Sequence, residues 1–189
     1  MKGCVKLIMQ NLGKFFCGKE SVSKMYEEAI NSIRRNIKSL PENEPIPENI
    51  IVEAANTLLD AGSLKSAPVQ IINLCRNMGF SVYMQELPHT VYGYIMISGD
   101  LKERFNTDRI ISVNEAESAK RRRFTVAHEL GHFLFNFDPS RSIEFYNAFE
   151  TSGENSPDED VCNRFAAELL MPQELVTVAY RKAEADYKE

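Results

Sequence analysis

The spacing of hydrophobic residues predicts a chain built mainly from helices. One amphipathic helix is expected to end at Pro41, because its apolar residues recur every three or four positions, as Tyr26, Ile30, Ile33, Ile37 and Leu40. A second helix is predicted from Asn49 to Gly62 and a third from about Pro68 to Gly79. Both end at a glycine, which is a common residue just past a helix.

The hydrophobic period then changes to one that is typical of strands. Three segments rich in β-branched and aromatic residues are predicted to form a small sheet: 80–86, 91–97 and 109–113. Because strands and helices are not regularly alternated, the predicted fold class is α+β, with helices packed around a small three-stranded sheet.

The last part of the chain is predicted to be helical again. A long helix is expected from about Ser118 to Asn136, closed by Asp138 and Pro139, and residues 140–157 are expected to form a loop or a broken helix. Two more helices follow in the prediction, one from Pro157 to Met171 and one that starts at Pro172.

A proline-rich segment divides the chain near its first quarter. Residues 41–47 contain three prolines, which predicts a stiff linker. We therefore expect residues 1–45 to form an N-terminal helical appendage with its linker, and residues 46–189 to form the main domain.

Composition and charge narrow the classes of function. Hydrophobic residues make up 43% and charged residues 26% of the chain, as in ordinary globular proteins, and the net charge of −5 argues against direct nucleic-acid binding. The basic run 120–123 precedes the long helix and is expected to support its start or to lie near an active site. The scattered cysteines Cys4, Cys17, Cys75 and Cys162 are typical of reduced thiols, and no leader peptide or membrane span is predicted, so we expect a cytoplasmic protein without a membrane partner.

The long helix carries the most informative chemistry, because residues 128–132 read His-Glu-Leu-Gly-His. Residues i and i+4 share one face of a helix, so His128 and His132 can bind one metal ion, and Glu129 can act as a general base. A catalytic zinc site has three protein ligands and one open position, which makes Zn²⁺ the expected cofactor. Mn²⁺ and Fe²⁺ are alternatives, since affinity order does not settle occupancy. The other interpretation, a hydrogen-bonded pair of core histidines, is disfavoured because the flanking residues are apolar and such a pair would be costly to bury.

The third ligand must come from elsewhere in the chain. Glu159 is the leading candidate, because small residues on its helix face would permit close packing against the long helix. His89, Asp158 and Asp160 are rivals. The spacing also fits a capping box, in which Glu159 reaches back to the backbone of Ser156. The sequence alone leaves the two roles of Glu159 open.

Two motifs together resemble the ImmA/IrrE family of metallopeptidases. They are RRFTVAHELGH at residues 122–132 and EDVCNRFAAELLMP at residues 159–172, and the resemblance covers about residues 50–172. It implies a zincin-like active-site helix, with His128, His132 and Glu159 as metal ligands and Glu129 as the general base. Family members are regulatory proteases that cleave helix-turn-helix repressors. The chain shows no clear helix-turn-helix of its own, so the expected partner is a protein substrate, a separate repressor chain.

The sequence leaves several functional alternatives. One is a non-catalytic binding module or toxin–antitoxin component with a structural metal site, which the intact Glu129 disfavours. Another is a hydrolase for a small molecule, which a closed pocket would indicate. For a peptidase, the strand at 91–97 is expected to pair with the substrate, and Tyr92, Tyr94, His89 and Tyr146 are the candidates for stabilising the oxyanion. Residues 1–45 could restrain activity by covering the groove.

Overall fold

The protein's structure, a computed structural model, describes residues 22–41, 44–135 and 157–188. The elements in chain order are α1 (residues 22–38), α2 (Glu48–Ala61), α3 (Ile71–Asn77), β1 (Ser81–Gln85), β2 (Gly93–Ile97), α4 (Leu101–Phe105), β3 (Arg109–Asn114), α5 (Ala119–Phe135), α6 (Pro157–Leu170) and α7 (Gln173–Lys188). The predicted α+β class, with helices around a small sheet, is confirmed.

The sheet has three strands in the order β1-β3-β2. β1 is parallel to β3, and β2 is antiparallel to it. β3 is buried along most of its length, as expected for a central strand that is covered on both faces. Among the residues that the structure describes, β2 is therefore an edge strand, as is β1.

The sheet packs against α5 through a glycine. A Cβ on Gly93 of β2 would lie 2.5 Å from Thr125 Cγ2 and 2.8 Å from the Ser112 carbonyl oxygen. Those distances are shorter than real Cβ contacts, so only glycine lets the strand approach the helix this closely. The start of β2 is thereby fixed against the first half of α5.

A second glycine lets α6 approach α5. A Cβ on Gly131 would lie 3.2 Å from the Cα, Cβ and Sγ atoms of Cys162. Residues on one side of α6 are buried, namely Val161, Cys162, Phe165, Ala166 and Leu169. The close crossing places the first turn of α6 beside the histidines of α5.

Helix α1 shares the same hydrophobic core. Tyr26, Ile30 and Ile33 are buried in the cluster that also contains side chains of α2, α5 and α6. Arg34 Nη2 donates a hydrogen bond to the Phe133 carbonyl oxygen over 3.1 Å. Whether residues 1–45 form a separable unit stays a prediction, but α1 packs directly against the C-terminal end of α5.

The observed elements differ from the predicted ones at several ends, such as β2, which begins at Gly93 and not at residue 91, and by one additional helix. The third helix begins at Ile71 instead of Pro68, because Gln70 has a non-helical backbone (φ −84°, ψ 72°). Helix α4 was not predicted, since its five residues are too few to display a helical period. Asp138, Pro139 and most of the expected loop at 140–157 lie outside the described residues. No helix in the described parts of the chain is long and apolar enough to cross a membrane.

Candidate metal site

Two imidazoles of α5 and one carboxylate of α6 converge at the crossing of these helices. His128 Nε2 and His132 Nε2 are 3.1 Å apart. The Glu159 carboxylate reaches both, with Oε2 at 3.0 Å from His128 Nε2 and Oε1 at 3.3 Å from His132 Nε2. The i, i+4 spacing on α5 and the close approach at Gly131 together produce this arrangement.

The three side chains fit one metal ion. Ligand atoms at the usual 2.0–2.1 Å from a tetrahedral zinc ion are about 3.3 Å from one another. The observed separations of 3.0 to 3.3 Å are close to that value. Two nitrogens and one carboxylate also leave room for a fourth ligand, as in catalytic zinc sites, while the same set is found around iron(II). The geometry therefore suits a divalent ion, with zinc as the leading choice.

The outer nitrogens of both imidazoles are held by α6. His128 Nδ1 lies 3.0 Å from Asn163 Oδ1, and His132 Nδ1 lies 3.5 Å from Cys162 Sγ. Because an amide oxygen only accepts hydrogen bonds, His128 Nδ1 carries the proton. With Nδ1 protonated, Nε2 can offer its lone pair to a metal ion on the side that faces Glu159; when no ion is bound, a proton on Nε2 donates to the Glu159 carboxylate instead.

Glu129 is the most unusual ionisable group of the site. Its side chain is only 4% exposed. Burial raises the pKa of Glu129 to about 7, although the positive charges that His132 and His128 can carry oppose the rise. A carboxylate with a pKa near neutrality can both accept and return a proton at the pH of a cell.

The candidate ligands shift one another's pKa values. Hydrogen bonds from His128 and His132 hold the pKa of Glu159 well below its usual range, despite partial burial. Burial opposes protonation of His128, but the hydrogen bond to Glu159 and the charge of Glu129 outweigh it, so the pKa of His128 is raised. The site thus favours a positive charge between the two helices, whether that charge is a proton or a metal ion.

The rival ligands lie elsewhere. Among the described residues, the groups that meet at one point are His128, His132 and Glu159, and His89 is exposed in the turn before β2. Asp160 forms an ion pair with Arg164 (2.8 Å), and Asp158 is exposed. Ser156 lies outside the described residues, so the capping alternative for Glu159 stays untested.

The oxyanion candidates are in different surroundings. The Tyr94 hydroxyl accepts a hydrogen bond from Gln85 Nε2 over 2.7 Å, which ties it to the sheet. Tyr92 is 43% exposed and lies beneath the guanidinium of Arg121. Tyr146 is outside the described residues. The sequence reasoning assigned no role to Asn163, although its position four residues after Glu159 on the same helix face was a usable signal.

Comparison with known proteins agrees with the two motifs. Residues 94–188 match the family model of Peptidase M78, described as the IrrE N-terminal-like domain. The radiation response metalloprotease IrrE of Deinococcus radiodurans is 34% identical over 67 residues, which are 35% of this chain and 20% of that protein. The protein of the same name from Deinococcus deserti is 36% identical over 67 residues, or 35% of this chain and 24% of that protein.

The matched stretch therefore spans about a fifth of the length of one relative and a quarter of the other. The family match is broader, because it extends over half of the chain and includes β3, α5 and α6. The chain belongs to the Peptidase M78 family of IrrE N-terminal-like domains.

Proposed function

We propose that this protein is a zinc-dependent endopeptidase that acts in the cytoplasm. The observation that carries the proposal is the convergence of two imidazoles and a carboxylate next to a buried glutamate, Glu129. A purely structural zinc site normally closes all four positions with cysteine or histidine and has no use for a buried base. Family membership and the name metalloprotease of both relatives support the same conclusion.

In this proposal His128, His132 and Glu159 hold the ion. When bound, zinc supplies Lewis-acid chemistry, which acidifies water and makes a scissile carbonyl more electrophilic. Glu129 accepts the proton of the attacking water and then passes it to the nitrogen of the leaving amine.

The edge strand β2 is proposed to hold the substrate. Within the described residues, its hydrogen-bonded neighbour is β3 on one side, so its other edge can pair with an extended peptide. Gly93 lies against Thr125, one helical turn before Glu129. A peptide paired with β2 would therefore run along the face of α5 that carries the histidines.

We also propose that the substrate is a protein. The resemblance to ImmA/IrrE proteases, which act on helix-turn-helix repressors, supports a repressor on a separate chain as the substrate. The choice of a repressor as the substrate rests on analogy with the family.

The test combines the purified protein with the helix-turn-helix repressor encoded nearest to its gene. Reactions contain zinc or a chelator, and fragments are identified by mass spectrometry. Glu129→Gln is isosteric and is expected to slow cutting by at least about 100-fold, because a general base contributes about 10²–10⁴ in rate. Zinc binding by this variant should persist, since Glu129 is not among the three donors.

Glu103→Gln is the matched control, because it removes an exposed carboxylate of α4. It should cut at the wild-type rate. Equal cutting by Glu129→Gln and wild type, or cutting that does not need a metal, would reject the mechanism. Tight repressor binding without cutting by any of these proteins would favour a binding module.

A further inference from the structure

The basic run that precedes the motif helix separates into two functional groups. Arg122 Nη1 donates to the carbonyl oxygens of Glu115 (2.8 Å) and Glu117 (2.7 Å). Arg123 Nη2 donates to the Val69 carbonyl oxygen over 2.9 Å. These two arginines fasten the start of α5 to the loops around it. Their role is structural, as the sequence suggested for the run.

Arg121 is different, because its guanidinium has no such partner. Among the described residues, no carbonyl or carboxylate oxygen accepts a hydrogen bond or ion pair from it, and the residue is exposed. Its guanidinium carbon lies 4.3 Å from the centroid of the Tyr92 ring. Stacking on an aromatic face holds the guanidinium plane while its N–H groups stay accessible at the edge.

Helical geometry aligns Arg121 with the metal site. Thr125, His128 and His132 follow it at four, seven and eleven positions along α5, and these spacings fall on one helix face. At 1.5 Å per residue, Arg121 lies about 10 Å from His128 along the helix axis. Tyr92 directly precedes β2, the proposed substrate strand. The stacked pair thus stands where β2 begins, beside the first turns of α5 and on the helix face that carries the histidines.

We infer that Arg121, held on Tyr92, is a subsite for a carboxylate side chain of the peptide substrate. The planar fork of an arginine matches the two oxygens of Asp or Glu. A guanidinium that is already oriented loses little freedom on binding, which favours selectivity at this position. The inference rests on the proposed peptidase function and adds a preference for acidic residues to it.

The directions of the elements specify where that residue falls. β2 and α5 run in the same direction. Just before β2, Tyr92 stacks on Arg121 near the start of α5. At the end of β2, Ile97 pairs with Arg109, whose guanidinium carbon is 5.2 Å from the centroid of the Phe133 ring near the end of α5. A peptide antiparallel to β2 therefore has its C-terminal part near Arg121. An extended chain rises about 3.4 Å per residue, so about 10 Å corresponds to three residues. The acidic residue is placed about three positions after the scissile bond.

The first experiment profiles cleavage in a peptide library prepared from a bacterial proteome. The zinc-loaded full chain is compared with Arg121→Glu and with Arg104→Glu, which reverses an exposed charge on α4. Sites cut by wild type and by Arg104→Glu should be enriched in Asp and Glu about three positions after the cut. Arg121→Glu should lose that enrichment and favour Lys and Arg there.

The second experiment measures binding without cleavage. The zinc-loaded Glu129→Gln protein is titrated with two fluorescent peptides that span one cleaved site and differ by Glu or Gln at the subsite position. The Glu peptide should bind about fivefold more tightly, as expected for a partly exposed ion pair, and Arg121→Gln should remove the difference. Circular dichroism verifies that each variant is folded.

The outcomes distinguish failure of the Arg121 subsite from failure of the proposed peptidase function. Cutting by wild type with no acidic preference, or an unchanged preference in Arg121→Glu, would overturn the subsite. A wild-type protein that cuts no peptide in the presence of zinc would overturn the proposed function and the subsite with it.

Discussion

The amide of Asn163 determines which nitrogen of His128 faces the metal site. Its oxygen accepts the Nδ1 proton over 3.0 Å, which fixes the tautomer. Removing this acceptor in Asn163→Ala frees the ring to rotate and to change tautomer. Loss of a residue that hydrogen-bonds to a metal-binding histidine weakens metal affinity by about 10–100-fold. We expect zinc binding to weaken by at least about tenfold, as measured by competition with a chromophoric chelator.

Asn163→Asp distinguishes this positioning role from simple loss of stability. A carboxylate accepts the same hydrogen bond, so zinc affinity should return to near the wild-type value. Asn56→Ala, an exposed change on α2, is the neutral control. If Asn163→Ala binds zinc as tightly as Asn56→Ala does, the hydrogen bond does not orient the ligand.

At the scale of elements, the crossing of α5 and α6 depends on Gly131. Alanine there gains about 1 kcal/mol of helix propensity. Its Cβ, however, would meet the Cα, Cβ and Sγ atoms of Cys162 at 3.2 Å, and the backbone of α6 would have to shift. Such overpacking costs about 1–3 kcal/mol. We expect Gly131→Ala to lower the free energy of unfolding by about 1 kcal/mol and to weaken zinc binding, because Glu159 lies on the displaced helix.

Urea unfolding and chelator competition measure the two effects of Gly131→Ala. Gly99→Ala is the matched control, since nothing lies within 4 Å of a Cβ at that position. A Gly131→Ala protein that is more stable than wild type, with unchanged zinc affinity, would contradict this prediction, because α6 would then accommodate the added methyl group without strain.

The elements also show how far the sequence determines the site. Helices α1 and α2 were predicted from apolar positions that recur over several turns, and α5 as the apolar segment that carries the His-Glu-Leu-Gly-His motif. Glu159 was a candidate ligand because small residues share its helix face and because it lies in a motif that resembles the family's. By contrast, the contact of Arg121 with Tyr92 joins residues that are far apart in sequence. Contacts of this kind depend on how strands and helices pack, which a periodicity does not encode.

At the scale of the whole molecule, a metal ion would link two helices that are separated in the sequence by residues 136–156. α5 supplies two donors and α6 supplies the third. An ion bound only by the folded state adds about 2.7 kcal/mol of stability when its concentration is 100 times Kd. For a chain of this size, each kcal/mol raises the melting temperature by about 2–4 °C. We expect chelation to lower the melting temperature by about 5–10 °C.

Thermal scans with zinc and with a chelator test this linkage. The double variant His128→Ala, His132→Ala removes two donors and should melt at the same temperature in both conditions. The prediction fails if wild type melts identically with and without zinc, or if the double variant responds to zinc as strongly as wild type does.

Because α1 packs in the core, deleting all of residues 1–45 is a poor test of whether the N-terminal segment restrains activity. Removing residues 1–45 would strip Tyr26, Ile30 and Ile33 from the core. Each large apolar side chain contributes about 1.5–3 kcal/mol, and a domain has only about 5–15 kcal/mol in total. We therefore expect the chain that starts at residue 46 to unfold at much lower urea than the full chain does. Its activity would report on folding and not on restraint.

Removing residues 1–21 separates the two effects, because it keeps α1 and its contact with Phe133. If the N-terminal segment covers the groove, this shorter deletion should raise kcat/KM for the cleaved repressor while the urea midpoint stays within the error of the full chain. Restoring the missing segment as a separate peptide should lower the rate again, because the covering contact would reform in trans. An unchanged rate in the folded 22–189 chain would place the control of activity outside residues 1–21.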